Sequence, residues 1–480
     1  MSLSPNNAED SCLKNHPTTI QQGFNLISNN GPVGPLKTSE KGDSSDTTND
    51  GPPSGGQDEE QAADHGSEAF PEGGSTAWLV VFGCFCALVS IYGLINTSAV
   101  FESYFKTHQL QDYSHSQIGW IFSLYLFLVF LVGVQVGPVF DQFGPRFLVA
   151  GGCLLVITSL MLLSLSKTYY QILLTYSVIG GLGGALLNAP AYGAIAHFFN
   201  AKRGLATGIA STAGGVGGML FPLLLRHLLG PNGVGFAWAC RILGFIMLGL
   251  AVPANLFIKS RPSVQKSKNC QPKFKSIRPD LSVFRDRRFA LASVGYFFME
   301  WGLFVPLTYI ISYGTANGIS TSDSSLLLSL LNAGSIVGRF LPGLLADKFG
   351  RFNVIIVTIA LCVITILAIW LPAHGSRPVV IAFCITFGAA SGSNLSLIPV
   401  CLGQFCESRD YGRYFATSTM AASFGTLTSV PIAGTLLGIG DQSTGWMALI
   451  LFSGCSYIVA LVCYCLARGM TVGWLPQTKF

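Results

Sequence analysis

Beyond residue 76, apolar stretches of about 20 residues alternate with short polar breaks, and an α-helix needs roughly that length to cross a hydrocarbon core. Twelve such spans can be marked: 77–100, 117–139, 147–165, 172–196, 206–228, 237–258, 289–312, 323–345, 353–372, 378–402, 412–438 and 445–467. One connection, 259–288, is long and basic, and it divides six spans from six. The pattern predicts an all-α membrane protein with twelve transmembrane helices in two bundles of six, 77–258 and 289–467. Residues 468–480 form a short C-terminal tail.

Residues 1–76 carry no such pattern. They are rich in Ser, Thr, Asn, Gly, Pro and acids, with almost no aromatic residues, and cannot bury enough apolar surface to fold. A disordered acidic tail is expected there. No basic start followed by an apolar run is visible, so no cleaved signal peptide is expected.

Composition agrees with the pattern. Half of the 480 residues are hydrophobic, 11% are charged, and the mean hydropathy is +0.51. A soluble surface would need about twice as many charges. The tail holds twelve acids against three lysines, which leaves 25 basic and 11 acidic groups on the remainder. The net +5 therefore describes an acidic tail on a basic apolar body, and it is no sign of nucleic-acid binding. Thirteen cysteines occur, but Cys84, Cys86, Cys153, Cys362, Cys384, Cys463 and Cys465 lie inside spans, where they act as small hydrophobes. No CxxC pair or zinc spacing is present, so no metal or cofactor is implied.

Lys and Arg set the orientation. With both termini in the cytoplasm, the inner loops hold 17 basic residues and the outer loops only Lys106, Lys167 and Arg377. The tails and the 259–288 linker are therefore expected in the cytoplasm. The plasma membrane is the expected location, with the vacuolar membrane as the alternative.

The two halves repeat. "GPVFDQFGPR" after span 2 supplies Gly137, Asp141, Gly144 and Arg146, and "GLLADKFGR" after span 8 supplies Gly343, Asp347, Gly350 and Arg351. The two copies of Gly-x-x-x-Asp-x-x-Gly lie 206 residues apart, as do Asn188 in span 4 and Asn394 in span 10. Glycine gives a tight turn its backbone freedom, and the carboxylate can cap or pair with neighbouring helix ends. Duplicated bundles that rock about a site between them are a transporter signature. "GGLGG" at 180–184 and "GGVGG" at 214–218 lie inside spans and lack the Lys-Ser/Thr of a nucleotide loop, so they read as close-packing surfaces and argue against ATP-driven pumping.

The loop motif resembles that of the major facilitator superfamily, whose members alternate between inward- and outward-open states. "GGSTAWLVVFGCF", "FFNAKRGLATGIASTAGGVGG" and "GLFVPLTYIISYG" resemble the monocarboxylate transporter family, and "MEWGLFVPLTYI" with the acidic tail is most similar to its fungal branch. The likeness covers residues 73–468. It implies a permease of small organic acids or related metabolites, including exporters and vitamin carriers. Proton-linked animal members carry a Lys late in span 1 and an Asp-x-x-x-Arg in span 8. Here Asn96 and Ser335 stand at those places and Arg339 remains, which argues against lactate-type proton symport by that machinery.

Four charges fall within the spans. Arg226 and Arg241 lie toward outer ends, where long side chains reach the headgroups. Arg339 sits deeper. Its planar guanidinium suits a carboxylate, and a helix end or Asp347 is the structural alternative. Glu300 is the costliest, at roughly 2.5–3.5 kcal/mol by insertion measures. It shares a helix face with Tyr296 and Phe304, and Pro306 loosens the helix one turn on. Glu300 is expected to carry a coupled proton or touch substrate; the alternative is a protonated side chain that locks span 7 to a neighbour. Asn96, Asn188, Asn332 and Asn394 can line a polar cavity or join helices.

The residues thus predict a secondary transporter of a small organic anion or metabolite, monomeric and linked to protons. A transporter-like nutrient sensor and a facilitative carrier of a neutral, vitamin-type solute are the alternatives. An enzyme is not expected, because no HExxH, GxSxG or paired metal ligands occur.

Overall fold

The computed structural model describes residues 70–230, 232–261 and 280–473. The expected disorder of 1–69, most of the basic linker and the last residues of the C-terminal tail lie outside them. Among the described residues, twelve helices are long and apolar enough to span a membrane: α1 Gly74–Thr107, α2 Gln117–Phe143, α3 Arg146–Leu163, α4 Tyr169–Phe198, α5 Arg203–Leu229 and α6 Phe236–Phe257, then α7 Arg287–Ala316, α8 Leu326–Phe349, α9 Arg351–Ala373, α10 Arg377–Leu402, α11 Ser408–Leu437 and α12 Gln442–Thr471. No strand occurs among the described residues. Helices are what an apolar surrounding selects, since each satisfies its own backbone. Their ends carry ordinary signals: Ser114 and Gln117 form a capping box before α2, and Asp286 caps α7 through the Arg288 N–H.

The helices outrun the expected spans at several ends. α1 already begins at Gly74 and continues to Thr107 past a break at Thr97, whose hydroxyl donates to the Leu94 carbonyl at 2.6 Å. The last helix runs through Arg468, placed above in the C-terminal tail. Wider π-type turns interrupt α4 at Leu173–Ile179 and α9 at Thr365–Trp370.

The two halves meet along two equivalent helix pairs, α2 on α11 and α5 on α8. Glycine makes both approaches close. A Cβ on Gly137 would lie 2.2 Å from the Gly412 carbonyl oxygen, and one on Gly343 would lie 2.5 Å from that of Gly204. The later motif glycines do different work: Gly144 and Gly350 end α2 and α8 at φ of 79° and 94°, where a side chain is strained. Within the second half, α8 and α10 interlock in the same way. A Cβ on Gly338 would meet the Ala389 carbonyl oxygen at 2.0 Å, and one on Gly392 that of Ser335 at 2.6 Å. This contact fixes Ser335 and Arg339 on α8 beside Ser391 on α10.

The loop aspartates join the halves. Asp141 accepts from the Gly412 and Arg413 N–H groups at 2.9 and 2.8 Å, at the start of α11. Asp347 accepts from Gly204 and Leu205 at 2.8 and 2.7 Å, at the start of α5. A helix start has unpaired N–H groups and a positive dipole end, so a carboxylate is well placed there. Each cap crosses from one half to the other. Further contacts join the same face. Arg351 donates to the Asn200 carbonyl, and buried Arg203 donates to Gly403 O at 3.2 Å and Ser408 Oγ at 3.3 Å. Glu72, ahead of α1, accepts from the N–H groups of Asn200, Ala201 and Lys202 at 2.8, 2.6 and 3.0 Å. Arg146 is exposed. Asp280, whose carboxyl is held below the usual range by hydrogen bonds from Ser282, lies 3.9 Å from Arg413.

Two outcomes follow for the variants of these contacts. Gly338→Ala should destabilise the protein by about 1–3 kcal/mol through overpacking, read as a lower unfolding temperature in detergent, while Gly249→Ala, with open space around its Cβ, should not. Equal unfolding temperatures would contradict the interlock. Asp141→Asn combined with Asp347→Asn should weaken the caps by about 1–2 kcal/mol, raising the population open at this face roughly 5–30-fold. Spin labels at exposed positions 146 and 409 would report it as a longer distance, and an unchanged distribution would contradict the latch.

Candidate functional site

Between the halves lies a cavity bounded by α1, α2, α7, α8 and α10. Tyr92, Ile95 and Asn96 come from α1, and Leu126 and Phe130 from α2. Glu300, Leu303, Phe304 and Leu307 come from α7, Leu331, Asn332, Ser335 and Arg339 from α8, and Ser391, Gly392 and Leu395 from α10. Its volume is about 50 Å³, small beside the roughly 300–1,000 Å³ of ligand pockets. In this conformation the walls are drawn together.

Glu300 has no exposed surface, and neither of its carboxylate oxygens has a hydrogen-bond partner. The side chains within electrostatic reach are Arg339 and a group of tyrosines: Tyr92, Tyr192, Tyr296, Tyr457 and Tyr464. Leaving a polar group enclosed and unpaired costs about 1–3 kcal/mol, and more when it is charged. The alternative reading, a hydrogen-bonded lock between Glu300 and a neighbouring helix, has no hydrogen bond to carry it among the described residues.

Arg339 is 5% exposed and crosses to the other half, where Nη1 donates to the Ser211 carbonyl at 2.6 Å. Its Nε has no partner. Asp347, offered above as a structural partner for Arg339, instead holds the start of α5. Arg339 also explains the first glycine of "GGVGG", because a Cβ on Gly214 would lie 2.2 Å from Nη1. The last, Gly218, makes room for Asn332 and Asn96, whose Oδ1 and Cγ would lie 2.8 and 2.9 Å from its Cβ.

The four asparagines separate into two pairs. Asn96 donates through Nδ2 to Tyr92 O at 2.7 Å and Gly214 O at 3.4 Å, and Asn332 to Leu328 O at 3.1 Å; both line the cavity. Asn188 and Asn394 do not line it. Asn188 accepts from the Tyr92 hydroxyl at 3.2 Å, and Asn394 donates to the Tyr457 hydroxyl at 3.3 Å. The two equivalent asparagines thus each hold a tyrosine that neighbours Glu300. Tyr296 is buried beside Glu300 but outside the cavity wall. Arg241 lies over the Trp238 ring at 5.2 Å and donates to Ser164, away from the cavity.

Tyr92, Tyr192, Tyr457 and Tyr464 were not singled out from the sequence, where a tyrosine in an apolar span looks like core packing. The spacing gives one faint signal: Asn188 and Asn394 are equivalent polar residues in need of partners. Among the described residues no three His, Cys, Asp or Glu side chains lie close enough to hold a metal ion.

Residues 80–429 and 293–478 match the family model described as Major Facilitator Superfamily. The chain is 34% identical over 431 residues to the riboflavin transporter MCH5 of Saccharomyces cerevisiae, covering 87% of this chain and 82% of that one. It is 38% identical over 409 residues to the MFS-type transporter opdF of Penicillium oxalicum, covering 85% and 94%. It is also 35% identical over 404 residues to the fujikurins efflux protein of Gibberella fujikuroi, covering 84% of each. Among solved structures, the E. coli fucose:proton symporter superposes with a TM-score of 0.63 at 16% identity, over 80% of this chain and 98% of its own. The human organic anion transporter MFSD10 does so with a TM-score of 0.62 at 15% identity, over 80% and 98%. With its twelve helices in two related halves, the chain belongs to the Major Facilitator Superfamily.

Proposed function

We propose that the chain is a secondary active transporter that carries a small organic metabolite by alternating access, with Glu300 and Arg339 as the polar core of its binding site. The observation that carries this reading is Glu300, enclosed with both oxygens unpaired in a cavity walled by both halves and shared with Arg339. Either a ligand or a proton relieves that carboxylate. Rocking one half against the other breaks the Asp141 and Asp347 caps and turns the cavity toward the opposite side. A carboxylate that meets solvent on one side and is sealed on the other links proton movement to that motion. The excess of Lys and Arg supports a cytoplasmic position for the face that carries these caps, with both termini inside and the protein in the plasma membrane.

The cargo is an organic metabolite with a group for Arg339 to bind. The likeness to monocarboxylate carriers supports an organic acid, whose carboxylate a guanidinium can hold bidentately. Relatives named for fujikurin efflux and for riboflavin transport support larger metabolites. A second reading, a neutral vitamin-type solute moving down its own gradient, is favoured by uncharged Asn96 and Ser335 at places where proton-linked carriers hold charges.

Flux in proteoliposomes under an imposed pH gradient tests the proposal, with riboflavin and small carboxylates as tracers. Glu300→Gln should still exchange a transported tracer but lose accumulation and pH dependence; a variant that still accumulates it contradicts the proton assignment. Arg339→Gln should nearly abolish flux while leaving folded protein in the membrane, and Arg339→Lys should raise KM about tenfold by losing the bidentate geometry. Wild-type kinetics in Arg339→Gln would remove it from the site. Labelling of native Cys270 by an impermeant maleimide outside intact cells would contradict the orientation.

A further inference from the structure

We infer that the cavity takes a ligand rich in hydrogen-bond donors, and that this ligand and a proton compete for Glu300, so that the coupling has the sign of exchange and not of symport. This rests on the cavity being the binding site, as proposed above. It comes from the hydrogen-bonding capacity left over on the cavity wall.

The acceptors come first. Both Glu300 oxygens lack a donor. Asn96 donates through Nδ2 to two backbone carbonyls, Tyr92 O and Gly214 O. Carbonyl oxygens only accept, so the amide cannot be turned round, and its Oδ1 is the atom left over. The same holds for Asn332, whose Nδ2 donates to Leu328 O. Ser335 donates its hydroxyl proton to Asn332 O at 2.8 Å, which leaves a lone pair on its oxygen. The wall therefore offers spare acceptors from four residues. On the donor side stand Arg339, with Nη1 on Ser211 O and Nε unpaired, and the Ser391 hydroxyl, which can donate or accept.

A simple carboxylate has acceptors only. It answers Arg339 but faces the oxygens of the other four residues, and it meets an ionised Glu300 with like charge. A molecule with several hydroxyl or N–H groups answers both sides. The remaining wall, including Leu126, Phe130, Leu303 and Phe304, suits an apolar or aromatic body. The fitting class is a ring compound bearing a polyol or imide, with one acceptor directed at Arg339.

The sign of coupling follows. Donors bind Glu300 best when it is ionised, and protonation removes both its charge and one acceptor. Ligand and proton then oppose each other, and by linkage each weakens the other's binding by the same factor. The other groups around Glu300 are Arg339 on α8, Tyr92 on α1, Tyr192 on α4, Tyr296 on α7, and Tyr457 and Tyr464 on α12. Phenols and guanidinium ordinarily titrate at about pH 10 and above, which leaves Glu300 as the one carboxyl group in this set.

Calorimetric binding to the purified full-length protein, at about pH 6 and about pH 8, tests this with three probes that share a phenyl body. They are phenyl β-D-glucoside, its fully O-methylated derivative, and 3-phenylpropanoate. The glucoside should bind at least about tenfold tighter than the other two and tighten as pH rises. Glu300→Gln should weaken it about tenfold, abolish its pH dependence and strengthen 3-phenylpropanoate, because the new amide donates. Glu300→Asp, which keeps the charge, should keep the pH dependence. Tighter binding of 3-phenylpropanoate, rising as pH falls and lost in Arg339→Gln, would overturn the proposal and leave the cavity as the site. Equal binding of the methylated derivative would also overturn it. If no probe binds, or if Glu300→Gln and Arg339→Gln change nothing, the proposal and the cavity reading fall together.

Discussion

An enclosed carboxylate with no hydrogen-bond partner is the constraint on which the centre of this molecule depends. The surroundings of the helices are apolar, and several polar groups near Glu300 are answered from within, while Arg339 Nε and the Tyr464 hydroxyl are not. Asn188 holds Tyr92, Asn394 holds Tyr457, Asn96 and Asn332 return their amide hydrogens to backbone carbonyls, and Arg339 reaches across to Ser211. Glu300 alone keeps both oxygens unanswered among these groups. On the function proposed here, a proton or a ligand that comes and goes meets its cost.

The same physics operates at the face where the halves are tied. A carboxylate on a helix start is a strong contact that can be broken without tearing a core, since the N–H groups it leaves can turn to water. Asp141 and Asp347 make such contacts in equivalent places, each from one half to the other. Glycine lets the backbones come close enough for this, at Gly137 against Gly412 and Gly343 against Gly204. Arg339 connects this latch to the cavity: it lies on α8 two turns before Asp347, and both grip α5. A ligand that pulls on the guanidinium therefore pulls on the interface that has to move.

Much of the architecture was legible because hydrophobic length depends on the membrane and hardly at all on tertiary detail. Twelve spans, the repeat and the place of Glu300 and Arg339 inside spans all rest on such local signals. The break at Thr97 and the π-type turns in α4 and α9 were not legible, because their apolar residues look like any other span. The aspartates could be read as helix caps, but the helix each would cap lies 142 or more positions away along the chain. Glu72 was hidden in an acidic tail, where nothing in the sequence singles it out. The tyrosines around Glu300 were missed for the opposite reason, since aromatic residues are expected wherever helices pack. Asn188 and Asn394 stand out by their equivalent positions, but they hold tyrosines behind the cavity and do not line it.

On the proposed function, Glu300 is a titrating group exposed to exchange with solvent as the protein cycles, and not a fixed part of the packing. Infrared difference spectroscopy of the protein in lipid measures this most directly, through the carboxylic acid C=O stretch followed during a pH titration. The account predicts a band that appears reversibly on acidification in the wild-type protein and is missing in Glu300→Gln. A spectrum in which the two proteins titrate identically would contradict it.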